Sequence, residues 1–411
     1  MKILFYNHTP IVSGAERVLL LILSQLDRGQ FQSVVMCPAG ALQQLVEEKN
    51  VPCVPVESLQ ARFTWRPDYL LRYLLSFLSV IRNVRAQIRQ ISPDLIHANS
   101  IRAGLVMTAA TIGLRVPVIW HLHDLLPHHP ISTAIRGFVL TSPRVRLLAV
   151  SQATVRRFRG SLLRLFSRRV PGQVLLNCAD TAKFQPEAES RAAIRTELAI
   201  PAEQFVIGTI GQITARKGQL GLLHAFADVV QEIPDALLLI VGEPLFTAAD
   251  QQYFQHLQQT AAELGLISQV RFLGARRDVP AVMQALDLLV VNSLAEPCGL
   301  VVLEGMASGL PVIATAVGGN PEMIAHVSSG WLVPAQDNNA LAEAIVKLQK
   351  MPSLRRQLGM NARLRVKEHF TIRGYMDVLE KFYRACGNPS AAQRQGWTEI
   401  PHPSSALRSN D

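Results

Sequence analysis

At 411 residues the chain is long enough for two domains, each with a full core. It carries 41 Lys and Arg against 31 Asp and Glu, and the excess is local: residues 1–185 hold 22 cations against nine acids, while the remainder is slightly acidic. The five scattered cysteines (37, 53, 178, 298, 386), odd in number and without a CxxC pair, exclude a metal site of that kind and read as reduced thiols in a cytoplasmic protein.

The first residues, MKILFYN, are too short for a signal peptide and form a first strand. The longest apolar run, 69–81, is interrupted by Arg72 and too short to span a bilayer. Short apolar runs then alternate with helical stretches to the end, which predicts parallel sheets flanked by helices. Strands are expected near 2–7, 34–37, 53–56, 94–98, 117–122, 146–150 and 173–177, and again near 205–210, 236–241, 269–273, 287–292, 311–315 and 331–333. A polar stretch at 180–200 marks a linker between a domain of residues 1–185 and one of residues 186–370. From 387 to 411 the chain turns to Pro, Ser, Gln and Asn, the composition of a disordered tail.

Sheets of this kind bind ligands at the carboxyl ends of their strands. Gly14 follows the first strand and opens a helix, where a missing Cβ lets backbone approach a phosphate or sugar. His121 and His123, at the end of strand 117–122, share one face by alternation. With Asp124 they do not present three metal ligands, so one histidine facing a cleft is the better reading. After strand 205–210 comes GQITARKG, where Arg216 and Lys217 beside Gly218 at a helix start suit a diphosphate.

The densest signal lies in residues 292–322, NSLAEPCGLVVLEGMASGLPVIATAVGGNPE. Glu296 and Glu304 stand on either side of Gly299, which starts a helix whose N-terminal N–H groups favour an anion. Glu304 has the small residues Ala307 and Ser308 one turn on, leaving room beside its carboxylate. A carboxylate on so apolar a helix is costly to bury unpaired, so it calls for a structural cation or a hydroxyl-rich ligand. Either glutamate alone reads as a solvated acid or a salt-bridged one; the pair with Pro297 and Gly299 between them points to a ligand.

Two basic stretches remain. Residues 155–170, VRRFRGSLLRLFSRRV, read as a basic amphipathic helix of the kind that lies on anionic lipid, and residues 62–91 add six arginines among Leu, Tyr and Phe. Equally, both are ordinary helices that pack an apolar face on the sheet and solvate their arginines. No aromatic platform accompanies the arginines, so no nucleic-acid partner is expected.

With these residues in hand, the chain resembles the retaining glycosyltransferases of family 4, over nearly all of 1–386 and most specifically at Glu296 and Glu304 followed by GMASGLPVIAT and Gly318, Gly319 and Glu322. The resemblance implies the α/β GT-B fold, two Rossmann-like parallel-sheet domains facing across a cleft, with the last helix (371–386) returning to the first domain. It implies that Glu304 holds the ribose hydroxyls of a nucleotide, that Glu296 bonds hydroxyls of the transferred sugar, and that backbone at Gly299, Leu300 and Val301 takes the diphosphate with Lys217. The base would rest near Arg271 and Gly274, His123 would be the active-site histidine, and Gly14 would lie on the loop that closes on the phosphate. Asn177 and Asp180 match a structural stretch of the family. Two positions depart: Gln212 stands where the family usually has Arg, a lost diphosphate contact that either lowers donor affinity or is made good by Arg216, and Ser13 replaces the first of a Gly-Gly pair.

The implied reaction moves a sugar from a nucleotide-diphosphate sugar to an acceptor hydroxyl, with a glycan or lipid-linked acceptor if the basic half meets an anionic membrane surface from the cytoplasmic side. No Asp-x-Asp sits at a strand end, so a metal-independent reaction without a cofactor is expected. The competing readings are a sugar-nucleotide epimerase of the same fold, which would need further acids, and a non-catalytic nucleotide-sugar-binding subunit, suggested by Gln212.

Overall fold

The computed structural model describes residues 1–58, 67–127, 129–164 and 172–387. The chain divides into two compact units, Met1–Leu176 with Tyr375–Asp411, and Asn177–Gly374. The tail expected from 387 lies, beyond Gly387, outside the described residues.

The first unit alternates strand and helix: β1 (Lys2–Tyr6), α1 (Gly14–Gln25), β2 (Gln32–Cys37), α2 (Ala41–Glu47), β3 (Cys53–Pro55), α3 (Pro67–Ile91) and β4 (Leu95–Ala98). It continues with α4 (Ile101–Ala110), β5 (Val118–Leu122), α5 (Pro130–Leu140), β6 (Val145–Ala149), α6 (Gln152–Arg164) and β7 (Gly172–Val174). Its seven strands are parallel in the order β3-β2-β1-β4-β5-β6-β7. The order reverses between β1 and β4, and the residues just past those two strands are Asn7, His8, Asn99 and Ser100. Such a reversal opens a crevice at the strand ends.

The second unit runs α7 (Ala188–Glu197), β8 (Val206–Ile210), α8 (Gln219–Glu232), β9 (Leu237–Val241), α9 (Ala248–Glu263), β10 (Val270–Gly274) and α10 (Val279–Ala285). Then follow β11 (Leu288–Val291), α11 (Leu300–Ala307), β12 (Val312–Thr315), α12 (Asn320–Met323), β13 (Trp331–Val333), α13 (Asn338–Lys350), α14 (Pro352–His369) and α15 (Ile372–Gly387), the last lying from Tyr375 on in the first unit. The six-stranded sheet has the order β10-β9-β8-β11-β12-β13, reversing between β8 and β11.

All thirteen expected strands form. The largest difference is β7, which ends at Val174; only Leu175 still donates to the Ala149 carbonyl, at 2.9 Å, before the chain leaves for the second unit. Both sheets have helices on their faces, so their central strands are buried on both sides and read as continuous apolar runs such as LLLIV in β9.

In the first unit Val80, Val84 and Ile88 of α3 repeat at helical spacing and enter the core with Ile96, Trp120 and Phe158. Gly104 of α4 makes room for Trp120: a Cβ there would stand 2.3 Å from the indole, whose Nε1 donates to Thr108 Oγ1 at 2.8 Å. From α15, Phe382, Leu379 and Tyr383 are buried in the same unit.

The basic stretches behave as packed helices where they are described. Val155 and Phe158 of α6 face the core, with Phe158 edge-on to Trp120. The single helix expected over 155–170 is broken at Gly160, whose φ of 53° and ψ of −163° are not helical. Arg136 sits against that break, donating Nε to the Phe158 carbonyl at 2.7 Å and Nη2 to that of Arg157 at 3.1 Å. The rest of that stretch, 165–170, lies outside the described residues, as do 62–66. In α3, Arg85 is equally structural, donating at 2.7 Å to the carbonyls of both Ala110 and Ile112, whereas Leu78, Arg82 and Arg89 are exposed. Among the described residues no helix is long and apolar enough to cross a membrane.

Candidate active site

In the second unit the polar residues collect at the carboxyl ends of β8 and β11, on either side of the reversal. Two loops meet there, 211–218 after β8 and 292–299 after β11. Gly218 takes φ 68°, and a Cβ on it would stand 2.0 Å from the Asn292 carbonyl oxygen, so a glycine is required on both counts. Asn292 Nδ2 donates back to the Gly218 carbonyl at 2.9 Å, Leu294 N–H donates to the Arg216 carbonyl at 2.8 Å, and Arg216 Nη1 donates to the Ala295 carbonyl at 3.0 Å.

This zipper carries Lys217 to Glu296. Lys217 Nζ stands 2.5 Å from Glu296 Oε2, and Ser293 Oγ donates to the same oxygen at 3.0 Å. Glu296 is 4% exposed, a burial tolerable only because a cation and a hydroxyl meet it. Its backbone is fixed from a third side, since Gly319 N–H donates to the Glu296 carbonyl at 2.9 Å. Gly318 before it has φ 56°, and a Cβ would lie 1.8 Å from that carbonyl. Gly318 and Gly319 are therefore a brace for the Glu296 loop.

Gly299 caps α11, as expected. Of the eight residues of α11, Val302, Leu303, Gly305, Met306 and Ala307 are buried, and the three with partial access are Leu300, Val301 and Glu304. The N-terminal turn and the Glu304 carboxylate thus share the accessible face. A cavity at this point is lined by Gly211, Lys217, Gln219, Asn292, Ser293 and Val301. Buried Gln219 donates Nε2 to the Gln212 carbonyl at 3.0 Å, while its Oε1 has no hydrogen-bond partner among the described residues, an acceptor available to a ligand.

Three further expected residues lie around this site's loops and strands. Arg216 is exposed, and one of its guanidinium nitrogens, Nη1, braces the Ala295 carbonyl. Arg271 donates Nη1 to the Leu198 carbonyl. Gly274 at the end of β10 has φ 66°, with no atom of the described residues within 4 Å of a Cβ position, so the open part of that segment is backbone. Asn177 donates Nδ2 to the Cys298 carbonyl at 2.9 Å and its N–H to Cys298 Sγ at 3.5 Å, while Asp180 accepts from the N–H groups of Ala182 and Lys183.

The first unit gathers its own polar cluster around the reversal of its sheet. His123 is half-buried just past β5, with Nε2 3.2 Å from Asn99 Oδ1 and its ring 3.8 Å, centroid to centroid, from that of His121. Behind it, Tyr383 Oη lies 2.8 Å from His97 Nδ1, and His97 Nε2 lies 3.1 Å from His121 Nδ1. Burial holds His97 at about 3, with His123 adding to the effect, and pushes His121 and His123 down as well, so all three rings are neutral near pH 7. His8 meets Ser100 Oγ at 3.0 Å and is lowered to about 4 by burial, helped by Arg102. Gly14 is exposed at the first turn of α1, where Ser13 N–H and Oγ both donate to buried Glu16, at 2.9 and 2.5 Å.

The sequence reading missed Ser293, Gln219, Asn99 and His97. Each is a polar residue at or just beyond the carboxyl end of an apolar strand, or at a helix start, which is the signal that could have found them.

Residues 190–365 match the family model for glycosyl transferases group 1, and residues 12–166 match that for glycosyltransferase family 4. The chain is 29% identical over 363 residues to a D-inositol 3-phosphate glycosyltransferase of Saccharomonospora viridis, covering 84% of this chain and 81% of the relative. It is 28% identical over 386 residues to the lipopolysaccharide core biosynthesis glycosyltransferase LpsD of Rhizobium meliloti, covering 93% and 98%. Among solved structures it is similar to HepE of Anabaena in complex with UDP and glucose, with a TM-score of 0.78 at 28% identity over 94% of this chain and 100% of that one. Matched in both units and aligned with such relatives along most of its length, the chain belongs to the group 1 glycosyltransferases of family 4, with the GT-B fold.

Proposed function

We propose that this glycosyltransferase moves a hexose from a nucleotide-diphosphate sugar to an acceptor hydroxyl with retention of anomeric configuration. The observation that carries the reading is the buried Glu296 carboxylate held by Lys217 and Ser293 beside the first turn of α11. The relative HepE, solved with UDP-glucose at 28% identity, supports a nucleotide sugar as the donor. Glu296 accepts from hydroxyls of the sugar, and Glu304, one helical turn further along the accessible face, accepts from the ribose. The diphosphate lies at the N–H groups of Gly299, Leu300 and Val301, with Lys217 as its cation.

Breaking the bond from the anomeric carbon to the diphosphate oxygen leaves negative charge on the phosphate and positive charge on the sugar ring. The α11 dipole and the Lys217 ammonium stabilise the first, with no metal required for that charge. The acceptor oxygen then bonds the anomeric carbon on the face the phosphate leaves, and its proton passes to the departing diphosphate. By the resemblance to the family, His123 bonds a hydroxyl of the transferred sugar. The acceptor is lipid-linked or part of a cell-surface glycan; the likeness to LpsD and the basic first half support this.

The test is incubation with a panel of sugar nucleotides, following nucleoside diphosphate release and the anomeric coupling of the product by proton NMR. Transfer or slow donor hydrolysis with a retained anomer is expected. An epimerised donor, or binding without turnover, would overturn the proposal in favour of an epimerase or a binding subunit. For the acceptor, comparison of acidic with neutral vesicles is decisive: equal partition counts against a lipid-surface site.

A further inference from the structure

The hydrogen-bond chain behind His123 fixes which of its ring nitrogens carries the hydrogen. His123 Nε2 lies 3.2 Å from Oδ1 of Asn99, and two backbone carbonyls determine the orientation of that amide. A carbonyl only accepts, so the Asn99 atom 3.3 Å from the Ala15 carbonyl is Nδ2. Independently, Asn7 Nδ2 donates to the Thr9 carbonyl at 2.8 Å, which turns Asn7 Oδ1 toward Asn99 at 3.1 Å, and that oxygen also needs a donor. Flipping either amide would set acceptor against acceptor.

Asn99 Oδ1 cannot donate. Its contact with His123 is a hydrogen bond only when Nε2 bears the hydrogen, and a neutral imidazole has one N–H. Nδ1 is then a lone pair, and among the described residues no group bonds it. The ring cannot easily turn over to exchange the two nitrogens, because the His121 ring packs against it at 3.8 Å and is itself tied to His97 and Tyr383.

We propose that Asn99 is a positioning residue that locks His123 in the Nε2–H tautomer and so presents Nδ1 as an acceptor for a sugar hydroxyl. This rests on the assignment of His123 to the transferred sugar, and it adds a polarity: the histidine receives a hydrogen bond from substrate. Donors with a free hydroxyl at that point are favoured over deoxy or O-methyl analogues, which offer Nδ1 nothing.

The test is nitrogen NMR of the full chain labelled with 15N-histidine, the His123 signals being assigned by their loss in His123→Gln. A protonated Nε2 with a bare Nδ1 is expected. In Asn99→Ser, whose hydroxyl can donate or accept, both tautomers are expected, with kcat lowered about tenfold or more and donor KM little changed. A wild-type Nδ1–H tautomer, or a single Nε2–H form persisting in Asn99→Ser, would overturn the proposal. The wild-type spectrum alone decides the tautomer if the variant misfolds. Full activity of His123→Ala, by contrast, would remove the role of His123 in the reaction while leaving the tautomer result intact.

Discussion

Lys217 and Glu296 meet with Nζ 2.5 Å from Oε2, and each comes from a loop that the other loop holds in place. Their side chains are 18% and 5% exposed, so the pair is sheltered and removing one partner strands the other. Lys217→Met should therefore cost the second unit about 2–3 kcal/mol, below the full cost for a completely buried pair because the lysine keeps some solvent. Adding Glu296→Gln to it should restore part of that loss, with a coupling of about 1–3 kcal/mol. Hydrogen exchange of β11 and β12 amides measures both. Turnover should stay low in the double variant, and equal stability of Lys217→Met, Glu296→Gln and the double variant would show that the two side chains are not coupled.

The two glutamates have separable tasks under the proposed function. Glu304→Ala removes the carboxylate from the accessible face of α11 and should weaken nucleotide binding, read by calorimetry with UDP. Glu296→Ala should chiefly lower turnover, since its partners lie at the sugar and phosphate end of the site. Unchanged activity in both variants would remove the site assignment.

Gly318 and Gly274 form a matched pair for testing what the brace does. Both have positive φ, 56° and 66°, so an alanine at either costs about 1–2 kcal/mol in backbone strain. At Gly274 no atom of the described residues lies within 4 Å of the new Cβ, whereas at Gly318 the Cβ would collide with the Glu296 carbonyl. Gly318→Ala should lower the melting temperature well beyond Gly274→Ala and should also reduce turnover by displacing Glu296. Equal shifts in the two variants would show that the Glu296 loop yields freely.

The architecture was legible because both sheets are buried on two faces, so each strand is an apolar run that its flanking turns delimit. The pairing of Glu296 with Glu304 around Gly299 was legible for a local reason, the spacing along one strand, turn and helix. What could not be read was any relation that depends on a second loop: Arg216 bracing Ala295, Gly318 making way for the Glu296 carbonyl, or Asn99 fixing His123. Gly160 illustrates the opposite limit. The period of 155–170 is helical, and one glycine in the left-handed region, with Arg136 against it, overrides the pattern.

Buried neutral histidines give the first unit a pH dependence of its own. His97 and His121 are fully buried and their ionisation is displaced far below the ordinary histidine range by desolvation. The unfolded chain takes up their protons near pH 6.5 while the folded chain does not, so between pH 6.5 and about 3 the unfolded state binds more protons. Their stabilising contribution is thus complete above pH 6.5 and is lost as pH falls, each ring by up to about 1.4 kcal/mol per pH unit. The histidines of the second unit, His224, His256, His326 and His369, are all exposed. Hydrogen exchange corrected for its intrinsic rate should therefore show β4 and β5 losing protection from pH 7 to pH 5 while β8 and β11 hold theirs. Equal loss in the two sheets would mean that the histidine chain ionises within the fold.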